Sequence, residues 1–216
     1  MIHYVIPENP DNRLLDKICA ALDSDQVIVF PTDTSWVLAV NLFSKKAIES
    51  LYRLKSMDKK KHLSVLCNNI SQASRFALIS DSCFCRIRSK VPGPYTFIFN
   101  PSHEIPRSIK DYRKENQIGI RIPDSILCRR LIEHYKHPIL ATSITHAMLG
   151  LEQNEDSFEL EQIFSYQIEE AFPQIEMIID PGEFHILGGS SVIDFASDPG
   201  IAIVIREGAG DVTSFR

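Results

Sequence analysis

At 216 residues, with 44% apolar and 24% charged side chains, the chain has ordinary globular usage and enough length for one sizeable core, which excludes intrinsic disorder and leads us to expect a single domain over 1–216. No run approaches the roughly 18 consecutive apolar residues of a membrane span, and MIHYVIPENPDNR lacks a basic stretch followed by an apolar signal region, so a cytoplasmic protein with no membrane partner is expected. The net charge of −5 conceals a lopsided distribution: residues 1–136 hold 21 basic and 14 acidic groups, whereas residues 137–205 hold 12 acidic groups and no Lys or Arg.

Taken in chain order, Asp11 to Leu22 places Leu14, Leu15, Ile18, Ala21 and Leu22 at helical spacing, with Asp11 or Asn12 as N-cap. Val27–Phe30 and Val37–Val40 read as two buried strands, leaving PTDTSW as a polar turn between them. Lys45–Leu54 is a helical stripe that the lysine-rich SMDKKKH segment interrupts as a loop. Leu63–Cys67 is a strand, Ser71–Leu78 and Asp81–Arg88 are helices, and Tyr95–Phe99 is a strand entered through Pro92, Gly93 and Pro94. Strands at Gln117–Ile122 and Ile139–Ser143 flank a helix at Ser125–Tyr135. A glutamate-rich helix at Phe158–Phe172 is expected within an acidic insertion near 151–173, followed by strands at Met177–Ile179, Ser191–Phe195 and Ile201–Ile205. Strands interleaved with helices predict an α/β fold around a largely parallel or mixed sheet.

Charge and cysteines narrow the chemistry. From Lys45 to His62 seven basic residues (Lys45, Lys46, Arg53, Lys55, Lys59, Lys60 and Lys61) face only Glu49 and Asp58, a density that suits an anionic ligand. Solvated faces that merely differ in sign account for the same pattern. Cys19, Cys67, Cys83, Cys85 and Cys128 form an odd set without a CxxC pair and read as reduced thiols. Cys83 and Cys85 alternate about Phe84 as on one strand face, but zinc sites draw on more ligands, so no metal site is expected.

VIVFPTDTSWVL, IESLYRLKSMDKKKHLSVLC, VPGPYTFIF with GIRIPD, and ILATSITH, in this order, resemble the YrdC/YciO family; IIDPGEFHILGGSSVID and VIREGAGDV extend the resemblance across residues 11–212. The PGxYTFI segment, the IPR after it and the REGxGDV ending are most similar to the YciO branch. The resemblance implies a twisted mixed sheet with flanking helices around a concave, basic cavity. It also implies L-threonylcarbamoyladenylate synthesis for tRNA modification, with ATP and Mg²⁺, L-threonine and bicarbonate as substrates and no tightly bound cofactor.

Carried onto this chain, the resemblance assigns threonine recognition to Thr32, Thr34 and Trp36. Turn chemistry, with Asp33 and Thr34 capping neighbouring amides, is the alternative there. Trp36 stands where the family has tyrosine and Val37 where it has glycine or alanine, giving a bulkier floor. Lys55 matches the lysine of a KxR phosphate clamp whose arginine is here Met57, so Lys59, Lys60 or Lys61 is expected to supply the missing charge, without the fork of a guanidinium. Ser143 matches the serine of an SxN motif whose asparagine is here Thr145, and His146 lies beside it. Lys55 and Ser143 are the expected catalytic pair. Thr96, Arg121, Thr145, Ser190, Ser191 and Arg206 are expected around the nucleotide phosphates, and Tyr95 on the cavity wall. Arg121 between Ile120 and Ile122 is equally the solvent side of a half-buried strand.

Two functions follow. In the first, threonine carbamate attacks the α-phosphorus of ATP and pyrophosphate leaves, the protein supplying position, charge and shelter from water. In the second, the domain is a non-catalytic module for a nucleotide or double-stranded RNA, reading shape and charge, because no base-reading RNA motif is present. The substitutions at Met57 and Thr145 weigh against full synthase activity.

Overall fold

The computed structural model describes residues 1–55, 63–112, 116–151, 162–198 and 201–216. Ten strands among them form one mixed sheet in the order β1-β8-β2-β3-β7-β4-β6-β5-β9-β10. These are β1 (Ile2–Tyr4), β2 (Ile28–Pro31), β3 (Trp36–Asn41), β4 (Ser64–Leu66), β5 (Tyr95–Phe99), β6 (Ile118–Arg121), β7 (Ile139–Ser143), β8 (Met177–Asp180), β9 (Ser191–Asp194) and β10 (Ile203–Arg206). Helices α1 (Asn12–Asp23), α2 (Lys45–Lys55), α3 (Ile70–Ser74), α4 (Asp81–Ile87), α5 (Ile126–Tyr135) and α6 (Ser165–Ala171) accompany them. No helix among the described residues is long and apolar enough to cross a membrane.

Local chemistry sets the helix starts. The Asp11 carboxylate accepts the Arg13 N–H at 2.8 Å to open α1, and the Ser125 hydroxyl accepts the Cys128 N–H at 3.3 Å to open α5. Both helices lay an apolar stripe on one face of the sheet: Leu15, Ile18 and Leu22 meet Leu127, Leu131 and Ile132 over Val37, Ala39, Ile139 and Ala141. The alternate residues of β3 (Trp36, Leu38 and Val40) enter a second core with Ile48 and Leu51 of α2 and an aromatic cluster of Phe97, Phe99, Phe195 and Phe215. Because both faces are covered, the central strands read as unbroken apolar runs rather than as alternation.

The strand expectations hold with shifts of a residue or two, and the sequence reading missed β1 and the short 3-10 helices at Arg107–Tyr112, His146–Leu149 and Thr213–Phe215. The helix expected at 71–78 ends at Ser74, because Leu78 N–H turns to Asn100 O at 2.8 Å. Of the helix expected at 158–172, positions 158–161 lie outside the described residues, and the helical part is Ser165–Ala171. Cys83 and Cys85 stand on α4 rather than a strand, the first buried and the second exposed. Among the described residues no group of His, Cys, Asp and Glu is gathered for a metal.

Candidate functional site

Antiparallel pairing of β2 with β3, from Ile28↔Ala39 to Pro31↔Trp36, forces Thr32–Ser35 into a tight turn at the end of the sheet. The turn is closed from within. Thr32 N–H donates to Ser35 O at 2.9 Å, the Thr32 hydroxyl donates to the same oxygen at 2.9 Å, and that hydroxyl accepts the Thr34 and Ser35 N–H groups, each at 3.3 Å. Thr32, rather than Asp33 or Thr34, therefore does the turn chemistry, and its hydroxyl is consumed there.

Asp33 and Thr34 are held from a distant strand. Arg121 on β6 donates through Nη2 to Asp33 Oδ1 at 2.9 Å and to Thr34 Oγ1 at 2.5 Å, while Asp33 Oδ2 accepts the Asp124 N–H at 3.1 Å. Arg121 is only 4% exposed, so it is not the solvent side of a strand, and it does not line the cavity described below. This corrects both expectations for its side chain. A cation on an inward-facing strand position is tolerated because Asp33 neutralises it. Burial pushes the Asp33 carboxyl up, opposed by Arg121. Burial also pulls the Arg121 guanidinium down, opposed by Asp33 and reinforced by the positive charge of Arg206. The two arginines thus converge on one region.

Next to this turn lies a cavity of about 440 Å³. Its polar side holds Thr34, Ser35, Ser143, Thr145, Ser190 and Arg206, and its apolar side holds Trp36, Ile163, Phe184 and Ile186. No carboxylate lines it among the described residues, and Arg206 is the guanidinium that does. Adjacent strands explain the gathering. Parallel pairing of β5 with β9 sets Tyr95 opposite Ser191, and antiparallel pairing of β9 with β10 brings Arg206 to Val192. There Arg206 donates to Ser190 O through Nε at 3.0 Å and Nη2 at 2.6 Å, and to Ser190 Oγ at 3.1 Å. Ser190 Oγ in turn shares a hydrogen bond of 2.9 Å with Thr96 Oγ1. Across the cavity the Ser35 hydroxyl donates to Ser143 Oγ at 2.9 Å.

Of the predicted residues, Thr34, Trp36, Ser143, Thr145, Ser190 and Arg206 meet at this cavity, with Thr96 one hydrogen bond behind Ser190. Thr32 lines a neighbouring hollow instead. Lys55 closes α2, and its side chain, like Met57, Lys59, Lys60 and Lys61, lies outside the described residues. Trp36 is buried with its indole N–H donated to Ile163 O at 2.8 Å, and its ring meets Phe184 edge-on, centroids 5.2 Å apart. Tyr95 belongs to the aromatic core, its hydroxyl donating to Asp211 O at 3.1 Å, and Ser191 is spent between Gly210 O and the Gly208 N–H. Sequence reading assigned no role to Ser35, Ile163, Phe184, His185 or Ile186, although Ser35 stands beside PTDT and the last three lie within IIDPGEFHILGGSSVID. A wider groove of about 800 Å³ runs beside α1 and α5, but Glu8, Asp16, Asp23 and Glu133 outnumber Arg130 and Lys136 there, and no predicted site residue lines it. It is a poor host for phosphate.

A domain model of the Sua5/YciO/YrdC family, described as telomere recombination, matches residues 20–208. The chain belongs to the Sua5/YciO/YrdC family. It is 30% identical over 215 residues to the YciO protein of Escherichia coli K12, covering 98% of this chain and 97% of that one. It is also 27% identical over 202 residues to the threonylcarbamoyl-AMP synthase of Homo sapiens, covering 88% of this chain and 65% of that protein. Its fold superposes on the crystal structure of E. coli YciO with a TM-score of 0.83 at 27% identity, over 100% of this chain and 99% of that one. P. abyssi Sua5, crystallised with L-threonine, matches with a TM-score of 0.77 at 23% identity, over 96% of this chain and 57% of that one, which establishes a shared fold.

Proposed function

We propose that the 440 Å³ cavity is a nucleotide site that takes ATP with its Mg²⁺, with L-threonine as companion substrate. The observation that supports it is the pairing of an arginine held by neutral oxygens with converging hydroxyls, in a hollow that no carboxylate lines among the described residues. Guanidinium and hydroxyl donors suit phosphate oxygens, and the volume lies within the range of about 300–1,000 Å³ typical of small-molecule sites. Kinship with threonylcarbamoyl-AMP synthases and the L-threonine complex of P. abyssi Sua5 support the choice of companion.

The chemistry such a site would run begins with the threonine amine and bicarbonate, which lose water to give a carbamate. A carbamate oxygen then bonds to the α-phosphorus of ATP as the bond to pyrophosphate breaks. The protein's share is to orient both partners and offset charge: Arg206 and Ser190 on the phosphates, Ser143 and Thr145 across from them, Thr34 toward threonine. Thr145 offers one hydroxyl where the family's SxN motif has an amide, so positioning on that side is weaker.

Calorimetry with MgATP, followed by pyrophosphate release in the presence of L-threonine and bicarbonate, tests the proposal, with Arg206→Ala as control. Saturable ATP binding that weakens in the control supports the site, and threonine-dependent pyrophosphate release assigns the reaction. No ATP binding would sink the proposal, and salt-sensitive retention of duplex RNA in its place would favour the RNA module.

A further inference from the structure

The loop from β8 to β9 passes beside the 32–35 turn as a short strap. Its first part is fixed where the Gly182 N–H donates to Asp180 Oδ1 at 2.7 Å, and its far part where the Leu187 N–H donates to Asp33 O at 2.9 Å. Gly182 and Gly188 bracket it in left-handed conformations, φ 79° and 96°, which side-chain-bearing residues rarely adopt. Residues 183–187 therefore run between two sharp turns, and they hold Phe184 edge-on against Trp36.

Phe184 stands between two spaces. One is the cavity at Thr34 and Ser35; the other is a hollow of about 260 Å³ against Thr32, Asp33 and the start of α5 at Ser125 and Leu127. Among the described residues only Phe184 and His185 line both. On the cavity side Phe184 is joined by carbon from Trp36, whose N–H is committed to Ile163 O, and from Ile163 and Ile186, with His185 alongside. A ligand anchored by its anionic groups at Ser190 and Arg206 thus meets an apolar stop at the other end.

We infer that Phe184 is a specificity-determining residue whose ring closes the apolar end of the cavity and restricts the amino-acid substrate to a side chain of about threonine's size. The inference rests on the proposed pairing of ATP with an amino acid in this cavity. Behind the ring, the hollow of about 260 Å³ is larger than the roughly 150 Å³ that holds a benzene, and Pro7, Pro31, Ile126 and Leu127 line it together with Glu8, Asp33, Asp124 and Glu183. Removing the ring therefore joins to the site a space large enough for an aromatic side chain.

The experiment measures the affinities of L-threonine and L-phenylalanine by calorimetry in saturating MgATP, for the wild type, Phe184→Ala and Phe184→Leu. Expected are a preference for threonine of at least tenfold in the wild type, its reduction by tenfold or more in Phe184→Ala, and an intermediate ratio in Phe184→Leu, whose smaller change protects the reading if Phe184→Ala does not fold. A threonine-to-phenylalanine ratio that stays the same in the folded variants overturns this inference and leaves the ATP and threonine site standing. A wild type that binds neither ATP nor threonine overturns both.

Discussion

Arg121 in the interior of the sheet and Arg206 at its edge reach the same region and are used in opposite ways. Arg121 is buried, paired with Asp33 and bonded to Thr34, so its charge is cancelled and its work is to brace the turn. Arg206 is exposed and held by two oxygens of Ser190, both neutral, so its net positive charge remains available to an incoming anion. The contrast teaches that an arginine's partner, more than its presence in a motif, decides whether it positions or binds.

The largest expected effect tests the brace. Asp33→Ala strands a buried guanidinium and should cost about 3–5 kcal/mol in urea denaturation, while Asp33→Ala with Arg121→Met should recover most of that loss. A cost below about 1 kcal/mol would mean that solvent reaches Arg121 and that the two arginines are alike. Next comes the edge. Arg206→Gln gives up charge-assisted bonds to Ser190 and should cost about 1–2 kcal/mol, less than Asp33→Ala. It should weaken MgATP binding by about 10- to 100-fold, the worth of one or two hydrogen bonds to a charged group. Equal ATP affinity in calorimetry would break the comparison from its other side.

How far the sequence foretold this differs between fold and site. β5 and β7 were legible to the residue, because apolar runs bounded by Pro, Gly or polar turns have few other readings. β1 was not: Ile2–Tyr4 is three residues long, and it exists as a strand through parallel pairing with β8, far along the chain. The helix at 71–78 was overdrawn since local spacing is blind to the bridge of Ala77 with Pro101 that ends it. At the site, Ser143, Ser190 and Arg206 were found through family motifs. The role of Arg121 was hidden because apolar–charged–apolar alternation reports a face and not a partner, and Asp33 lies 88 positions away. Phe184 lay inside the IIDPGEFHILGGSSVID segment, but a shared segment does not say which of its side chains faces a cavity, and an aromatic in a Pro- and Gly-containing loop reads as a turn.

Trp36 extends the comparison to a smaller effect. Like Arg121 it stands beside the cavity with its polar group committed inward, to Ile163 O. Trp36→Phe leaves that carbonyl without its donor and should cost about 1–3 kcal/mol in denaturant. It should shift ATP affinity less than Arg206→Gln does. The reverse ranking would place the indole N–H in ligand binding.

The smallest effect lies at the surface, where Asp211 meets Lys90 at 3.1 Å and accepts the Thr213 hydroxyl and N–H at 2.7 and 3.0 Å. The Thr213 bonds, with Lys90 adding to them, bring the Asp211 carboxyl down from 3.8 to about 2. Since the folded value lies below the unfolded one, the carboxylate's contribution is present above pH 3.8 and fades as pH falls toward about 2. In Thr213→Val the hydroxyl bond is lost, and the Asp211 midpoint read by carboxyl NMR should move up toward 3.8, with global stability near neutral pH barely altered. A midpoint that stays near 2 would assign the depression to the Thr213 N–H and Lys90, which the substitution leaves in place, rather than to the hydroxyl.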